Sequence, residues 1–148
     1  MYKRVLVLIV CIFLLTACSP KTIGDVELDD IYYGNNEYIE ITSDYFKDTN
    51  PKNYVVFVHN TFCSLRVPCQ NIFKEYMEKY NISFLSINID EYKKTSLYDK
   101  VKYVPTVIVV SDNKIVAYLD AEKDEDLDKY QDIKEFESWI NKYIKYNK

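Results

Sequence analysis

The sequence predicts an α/β sandwich, in which a central mixed β-sheet is flanked by helices. Short apolar runs rich in β-branched residues alternate along the chain with segments of helical spacing. The chain has 148 residues, of which 48% are hydrophobic, which is enough for one domain with a single buried core. Because only 2 residues are glycine and 4 are proline, collagen-like, glycine-rich and proline-rich architectures are excluded.

In the first half of the domain, the sequence predicts two strands and two helices. Residues 38–41 alternate as a short strand does, and Thr42 and Ser43 then offer an N-cap for a short helix. The continuous apolar run at 54–58 predicts a central strand that is buried on both faces. The next helix ends at Asn81, and its apolar positions are Ile72, Tyr76, Met77 and Tyr80.

The second half predicts a strand, a surface helix, a hairpin and a final helix. The first three cover residues 83–89, 91–100 and 106–119, with turn residues at 111–114. The acidic stretch 120–132 is typical of a solvated surface and lacks the regular ligand spacing of a calcium site. The last helix has one apolar face, formed by Ile133, Phe136, Ile140, Tyr143 and Ile144. The predicted order is therefore β-α-β-α-β-α-β-β-α.

The N-terminus has the features of a secretion signal. Lys3 and Arg4 precede an apolar run at 5–15 that is too short to span a membrane. The tetrapeptide that ends this region, Leu15-Thr16-Ala17-Cys18, resembles the lipobox of bacterial lipoproteins. The resemblance implies that residues 1–17 are removed and that the Cys18 thiol carries lipid, with palmitate among its acyl chains. The alternative is an ordinary signal peptide in which Cys18 is incidental.

The mature chain is then expected to divide into two parts. Residues 18–37 mix Pro20, both glycines and acidic residues without periodicity, which favours a tether, and residues 38–148 form the domain. After cleavage 17 basic residues oppose 23 acidic ones, a balance of −6 that disfavours nucleic acid as a partner. We therefore expect a protein that is held by lipid at the extracytoplasmic face of a bacterial cell membrane.

Two cysteines remain as thiols between the buried strand and the helix. Cys63 and Cys69 lie where helix N–H groups and the helix dipole stabilise a thiolate, and Arg66 would add positive charge. Two residues six apart in a regular helix are too distant for a disulfide. A bond between these cysteines therefore requires part of 64–68 to be loop, with Pro68 in the first helical turn.

The element order, the cysteine pair and the tripeptide Val104-Pro105-Thr106 together resemble the thioredoxin superfamily. The resemblance implies a three-layer sandwich in which Cys63 is the nucleophile and Cys69 closes the motif. It also implies that Pro105 is a cis-proline beside the sulfurs and that the Val104 backbone pairs with an extended substrate. Three features depart from the family: five residues separate the cysteines instead of two, strand 54–58 holds no acid, and no glycine follows the hairpin.

The leading functional hypothesis is a membrane-tethered thiol–disulfide oxidoreductase that uses Cys63 and Cys69. Its partners would be extracytoplasmic cysteine-containing proteins or a membrane redox partner. The alternative is a non-catalytic accessory or binding lipoprotein in which these cysteines form a structural disulfide. His59 either tunes the thiol or is a loop-edge residue without a role. No cofactor or metal is expected. A weaker alternative is a copper chaperone, because some membrane-tethered thioredoxin-like proteins bind copper through two cysteines and a histidine. Those proteins use a distant histidine, whereas His59 lies directly upstream of Cys63.

Overall fold

Five strands form one mixed sheet in the computed structural model, which describes residues 24–60 and 68–145. The sheet order is β1-β3-β2-β4-β5. Strand β3 runs parallel to β1 and to β2, whereas β4 is antiparallel to both β2 and β5. The strands are β1 (Tyr38–Glu40), β2 (Tyr54–His59), β3 (Phe84–Asn88), β4 (Thr106–Ser111) and β5 (Lys114–Tyr118).

Helices flank this sheet, as the sequence predicts. The α-helices are α1 (Tyr45–Asp48), α2 (Cys69–Tyr80), α3 (Ile89–Tyr92), α4 (Asp124–Leu127) and α5 (Ile133–Ile140). Two short 3-10 helices cover Asp30–Tyr32 and Asp128–Tyr130. No helix in the described part of the chain is both long and apolar enough to cross a membrane.

One part of the core lies between the sheet and the helix pair α2 and α5, and another includes Tyr92, Leu97 and Val101. The first five residues of β2 are buried, as expected for a central strand whose two faces are both covered. On the α2 side, Phe73 contacts Phe57 of β2 at a ring-centroid distance of 5.2 Å and Phe136 of α5 at 4.6 Å. Aromatic pairs at such distances stabilise by about 0.5–1.5 kcal/mol each beyond the area they bury. Phe73 therefore joins the sheet to both helices.

Two chain reversals follow directly from local sequence. Asn81 ends α2 in the left-handed region at φ 55°, and its N–H donates to the carbonyl of Met77, so the predicted helix end is confirmed. Asp112 and Asn113 connect β4 to β5 with φ values of 49° and 60°. A two-residue turn of this kind requires positive φ at both positions, and asparagine and aspartate tolerate it best after glycine.

The segment 24–37, predicted as part of the tether, is instead packed on the domain. Val26, Leu28 and Tyr32 are buried, and Tyr32 has no exposed surface. The Val26 N–H donates to the carbonyl of Tyr143 at 2.9 Å, near the end of the described chain. The predicted boundary at residue 38 is therefore too late, because apolar side chains upstream of it complete the core. Residues 18–23 lie outside the described part of the chain.

Asp29 fixes the same segment at the start of β2. Its carboxylate accepts hydrogen bonds from the backbone N–H groups of Lys52 at 2.8 Å and Asn53 at 3.3 Å. Its own N–H donates to the Asn53 carbonyl at 2.9 Å. These bonds satisfy backbone groups of a loop that would otherwise depend on water.

Two helices are shorter than the sequence predicts. The surface helix predicted over 91–100 is regular only in α3 and continues as turns. Helix α5 ends at Ile140, after which Ile144 pairs with Val26 in a parallel bridge instead of extending the helix. Long-range pairing has replaced the local helical pattern at this point.

The predicted N-cap of α1 makes a different contact. Asp44, not Ser43, occupies the cap position, and its side chain makes no cap hydrogen bond. The N–H and hydroxyl of Ser43 donate instead to Glu91 Oε2 at 3.0 and 2.8 Å. Ser43 thus links α1 to α3 across the sheet edge.

The acidic stretch 120–132 is more ordered than a simple solvated surface. It contains α4 and one 3-10 helix, and it buries Asp120, which is 2% exposed, and Tyr130. Asp120 Oδ1 accepts a hydrogen bond from the Glu122 N–H at 2.9 Å, so a backbone donor compensates for the loss of water. The expectation of a solvated surface fails at these two positions.

Candidate functional site

Cys69 is the first residue of helix α2 and is only 2% exposed. Pro68 precedes it with φ −58° and ψ 112°, so the chain is extended immediately before the helix begins. Proline suits this place because it has no N–H to leave unpaired, although it stands one residue earlier than the first turn in which the sequence placed it. The thiol of Cys69 therefore lies where helix N–H groups and the dipole favour a thiolate.

The end of β2 forms one side of the site. Phe57 and His59 lie two residues apart on the same face of the strand, and their rings approach to 5.6 Å. Phe57 also contacts Phe73, which lies one helical turn after Cys69. Packing thus fixes the first turns of α2 against the strand that ends at His59.

Tyr38 reaches the same helix start from β1. Its hydroxyl donates to the backbone carbonyl of Gln70 at 2.8 Å. Burial, followed by the negative charge that Cys69 carries as a thiolate, raises the pKa of Tyr38 well above its usual value. The hydroxyl therefore remains protonated, and a hydrogen-bond donor, around neutral pH.

Pro105 lies opposite Cys69 at the start of β4. The Val104–Pro105 peptide bond is cis, as the family resemblance implies. The carbonyl oxygen of Pro105 accepts a hydrogen bond from the hydroxyl of Tyr130 at 2.9 Å. Val104 is half-buried beside it and packs against the core.

A pocket of about 250 Å³ joins three of the residues that the sequence singles out. Its lining residues are Phe57, His59, Asn60, Pro68, Cys69, Gln70 and Pro105. A larger pocket of about 380 Å³ borders Tyr54 at the opposite end of β2 and has neither cysteine nor histidine in its lining. We take the smaller pocket as the candidate site because it contains the thiol.

The other predicted site residues are not part of this pocket as described. Cys63, Arg66 and Cys18 lie outside the described residues. Val104 is adjacent to Pro105 but is not among the lining residues. The structure therefore brings Cys69, His59 and Pro105 together, and the pairing of Cys63 with Cys69 stays a prediction.

His59 lines the pocket at the end of β2. Its Nε2 atom lies 3.8 Å from Oε2 of Glu40, a separation too long for a hydrogen bond. Within the described residues this buried nitrogen makes no hydrogen bond. Among the described residues, the imidazole is held by its contact with the Phe57 ring.

Sequence reasoning missed the two tyrosines that contact the backbone around Cys69. In the sequence, Tyr38 belongs to the predicted strand 38–41 and Tyr130 to the acidic stretch 120–132. Neither position indicates the hydrogen bond that the structure shows. With 15 tyrosines in the chain, neither stands out by residue type. Their roles depend on long-range contacts, for which the local pattern carries no signal.

Comparison with solved structures decides the fold. The crystal structure of Schistosoma mansoni thioredoxin matches at 24% identity and a TM-score of 0.50, covering 74% of this chain and 97% of that one. This chain has the thioredoxin fold. The superfamily resemblance is thereby confirmed at the level of architecture, with β2, α2 and the Val104–Pro105 bond at the positions that the resemblance implied.

Other thioredoxin-fold structures align over a similar part of the chain. The reduced Schistosoma mansoni thioredoxin pre-protein matches at 26% identity with a TM-score of 0.49, covering 73% of this chain and 99% of that one. Oxidised thioredoxin O2 from Arabidopsis thaliana matches at 15% identity with a TM-score of 0.48, covering 73% and 95%. No protein-family model and no curated protein sequence matches the chain.

Proposed function

We propose that the protein is a membrane-tethered, extracytoplasmic thiol–disulfide oxidoreductase that acts through Cys63 and Cys69. The observation that carries the proposal is the position of Cys69, at the first residue of α2 and in one pocket with Pro105. A thiol at a helix N-terminus beside an open recess suits disulfide exchange. The thioredoxin fold supports the same chemistry.

The proposed reaction exchanges one disulfide for another. In the reductive direction the Cys63 thiolate attacks a substrate disulfide, forms a mixed disulfide and releases one substrate thiolate, which takes up a proton. The Cys69 thiolate then attacks the Cys63 sulfur, so that the Cys63–Cys69 bond forms and the second substrate thiolate leaves. Two electrons pass to the substrate, and the oxidative direction reverses each step. Burial suits Cys69 for the second, intramolecular attack, which needs no access from solvent.

Substrate binding is assigned to the segment that faces Cys69. An extended substrate chain would pair with the backbone of Val104, and Pro105 would bound the pocket beside the sulfurs. His59 lines the same pocket, where its imidazole would hydrogen-bond a thiol. Arg66 would add positive charge in the same region.

The lipid on Cys18 supplies the proposed anchor, and the domain would act on cysteine-containing proteins outside the cytoplasm. Palmitate labelling of cells that express the full chain tests this assignment. We expect label in the wild-type protein and none in Cys18→Ser. Equal labelling of both would show that Cys18 is not the lipid site.

A trapping experiment tests the oxidoreductase assignment. The full chain in detergent is mixed with a folded disulfide protein such as insulin, and adducts are identified by mass spectrometry. Cys69→Ser should accumulate a mixed disulfide through Cys63, because the resolving thiol is gone, whereas the matched control Cys63→Ser should not. The absence of any adduct with Cys69→Ser would overturn the assignment.

The alternative is an accessory lipoprotein in which Cys63–Cys69 is a structural disulfide, and the burial of Cys69 favours it. The two proposals differ in reduction potential. A structural bond would lie below about −300 mV, whereas an exchanging pair would lie above that value. Redox titration of the mature, lipidated protein, with the Cys63 and Cys69 thiols followed by alkylation, separates the two.

A further inference from the structure

Tyr130 joins the acidic segment after β5 to the Cys69 pocket. We propose that Tyr130 is a positioning residue for disulfide exchange, which holds the Pro105 carbonyl so that the Val104 backbone is presented to an extended substrate. The inference rests on the proposed oxidoreductase function and assigns a role to a segment that the sequence shows only as an acidic surface.

The first support is the hydrogen bond itself. The Tyr130 hydroxyl donates to the Pro105 carbonyl at 2.9 Å, and the Tyr130 side chain has no exposed surface. Burial, then the charges of Asp126, Cys69 and Asp120, raise the pKa of this hydroxyl well above its usual value. The Tyr130 hydroxyl therefore stays protonated and donates this hydrogen bond across the pH range in which thiols exchange.

The second support is the contact between Tyr130 and the helix that carries Cys69. Its ring lies edge-on to Phe73, with centroids 6.1 Å apart. Phe73 is four residues after Cys69, one turn along the same face of α2. One side chain thus contacts both walls of the pocket, the Pro105 loop through its hydroxyl and the α2 helix through its ring.

The third support is that the segment around Tyr130 is itself fixed. The two carboxylate oxygens of Asp126 accept from the Asp120 N–H at 2.9 Å and from Lys129 Nζ at 2.6 Å. The Asp126 and Lys129 side chains are only 15% and 21% exposed, so this ion pair is partly shielded from solvent. The residue before Tyr130 is therefore tied to the chain that leaves β5.

These contacts predict an effect on one class of substrate. A peptide or protein that lies along Val104 depends on how the Val104–Pro105 segment is held. A small aromatic disulfide reacts at the sulfurs without pairing to that backbone. Removing the hydroxyl of Tyr130 should therefore slow the first reaction and spare the second.

The test compares Tyr130→Phe with Tyr92→Phe in the full chain. Tyr92 is the matched control, since it is also fully buried and donates its hydroxyl to a backbone carbonyl, that of Val101 at 2.7 Å. Its acceptor Val101 does not line the Cys69 pocket, whereas Pro105, the acceptor of Tyr130, does. Each protein is reduced in advance and freed of reductant, and the second-order rate constant of its thiols is measured with insulin and with 5,5′-dithiobis(2-nitrobenzoate). Circular dichroism verifies that each preparation is folded.

We expect the ratio of the insulin rate constant to the small-disulfide rate constant to fall about fivefold in Tyr130→Phe, the effect of one lost hydrogen bond. In Tyr92→Phe the same ratio should stay within about twofold of wild type. An unchanged ratio in Tyr130→Phe, or an equal fall in both variants, would overturn the inference and leave the oxidoreductase function standing. A wild-type protein that reduces neither substrate would overturn the function and this inference with it.

Discussion

Leu28 provides a test of whether the segment before β1 contributes to the stability of the folded domain. Its side chain is 2% exposed, and its neighbours Val26 and Tyr32 are buried with it. If the segment were a tether, as its composition suggested, truncating this side chain would leave stability unchanged. We predict instead that Leu28→Ala destabilises the protein substantially.

The expected loss is about 3 kcal/mol of unfolding free energy. Buried leucine-to-alanine changes cost about 2–5 kcal/mol, from lost transfer free energy and from the cavity that remains. The lower half of that range applies because Leu28 lies in an irregular segment at the margin of the core, where neighbouring backbone is able to relax into the space. Glu27→Ala is the matched control, since Glu27 is exposed on the same segment and should change stability by less than about 0.5 kcal/mol.

Urea unfolding followed by tryptophan fluorescence measures the difference. Trp139 is the only tryptophan, is 7% exposed and contacts Tyr143, whose carbonyl binds the Val26 N–H. With a slope of about 1.5 kcal/mol per molar urea, the midpoint should fall by about 2 M in Leu28→Ala. A shift no larger than that of Glu27→Ala would refute the assignment of this segment to the domain.

Three further predictions concern other parts of the molecule. The pKa of Glu91 should be about 2, because Lys94 and then Ser43 hydrogen-bond its carboxylate and lower the pKa from 4.5. The stability that this group contributes is complete above pH 4.5 and is lost as the pH falls toward 2. Glu91→Gln should therefore reduce the dependence of the urea midpoint on pH across that window. Asn81→Ala should destabilise by about 1 kcal/mol and Asn81→Gly should not, because φ is 55°; thermal melts that place the two variants together would contradict this. In the reduced protein, iodoacetamide should modify Cys69 at least about tenfold more slowly than in urea, by mass spectrometry, since the side chain is 2% exposed; equal rates would contradict its burial.

The elements that sequence predicted well are those that local chemistry determines. The run 54–58 could only be satisfied as a strand covered on both faces, and Asn81 tolerates the left-handed conformation that ends α2. Asp112 and Asn113 fit a two-residue hairpin for the same reason. The order of strands and helices, and hence the thioredoxin-like sandwich, follows from these signals.

The errors occur where distant contacts outweigh local pattern. Val26 finds its partners at Tyr143 and Ile144, more than a hundred residues along the chain, so a mixed, irregular segment is fixed by pairing that no local window contains. Asp120 looks solvated in sequence, yet a nearby backbone N–H satisfies its carboxylate once it is buried. Of the candidate site, sequence placed Cys69 and Pro105 together, but it carried no signal for Tyr130.

The anchoring of Asp29 beside the start of β2 limits where the protein can work. With the proposed lipid on Cys18, the leash consists of little more than the seven residues 19–25, which reach about 25 Å when fully extended. The leash meets the domain at Val26, which pairs with Ile144, and three residues later Asp29 is fixed beside the start of β2. The Cys69 pocket lies at the other end of that strand, about 20 Å away. On so short a leash the pocket would stay close to the bilayer, so membrane-attached or newly emerging chains would meet it more often than freely diffusing ones.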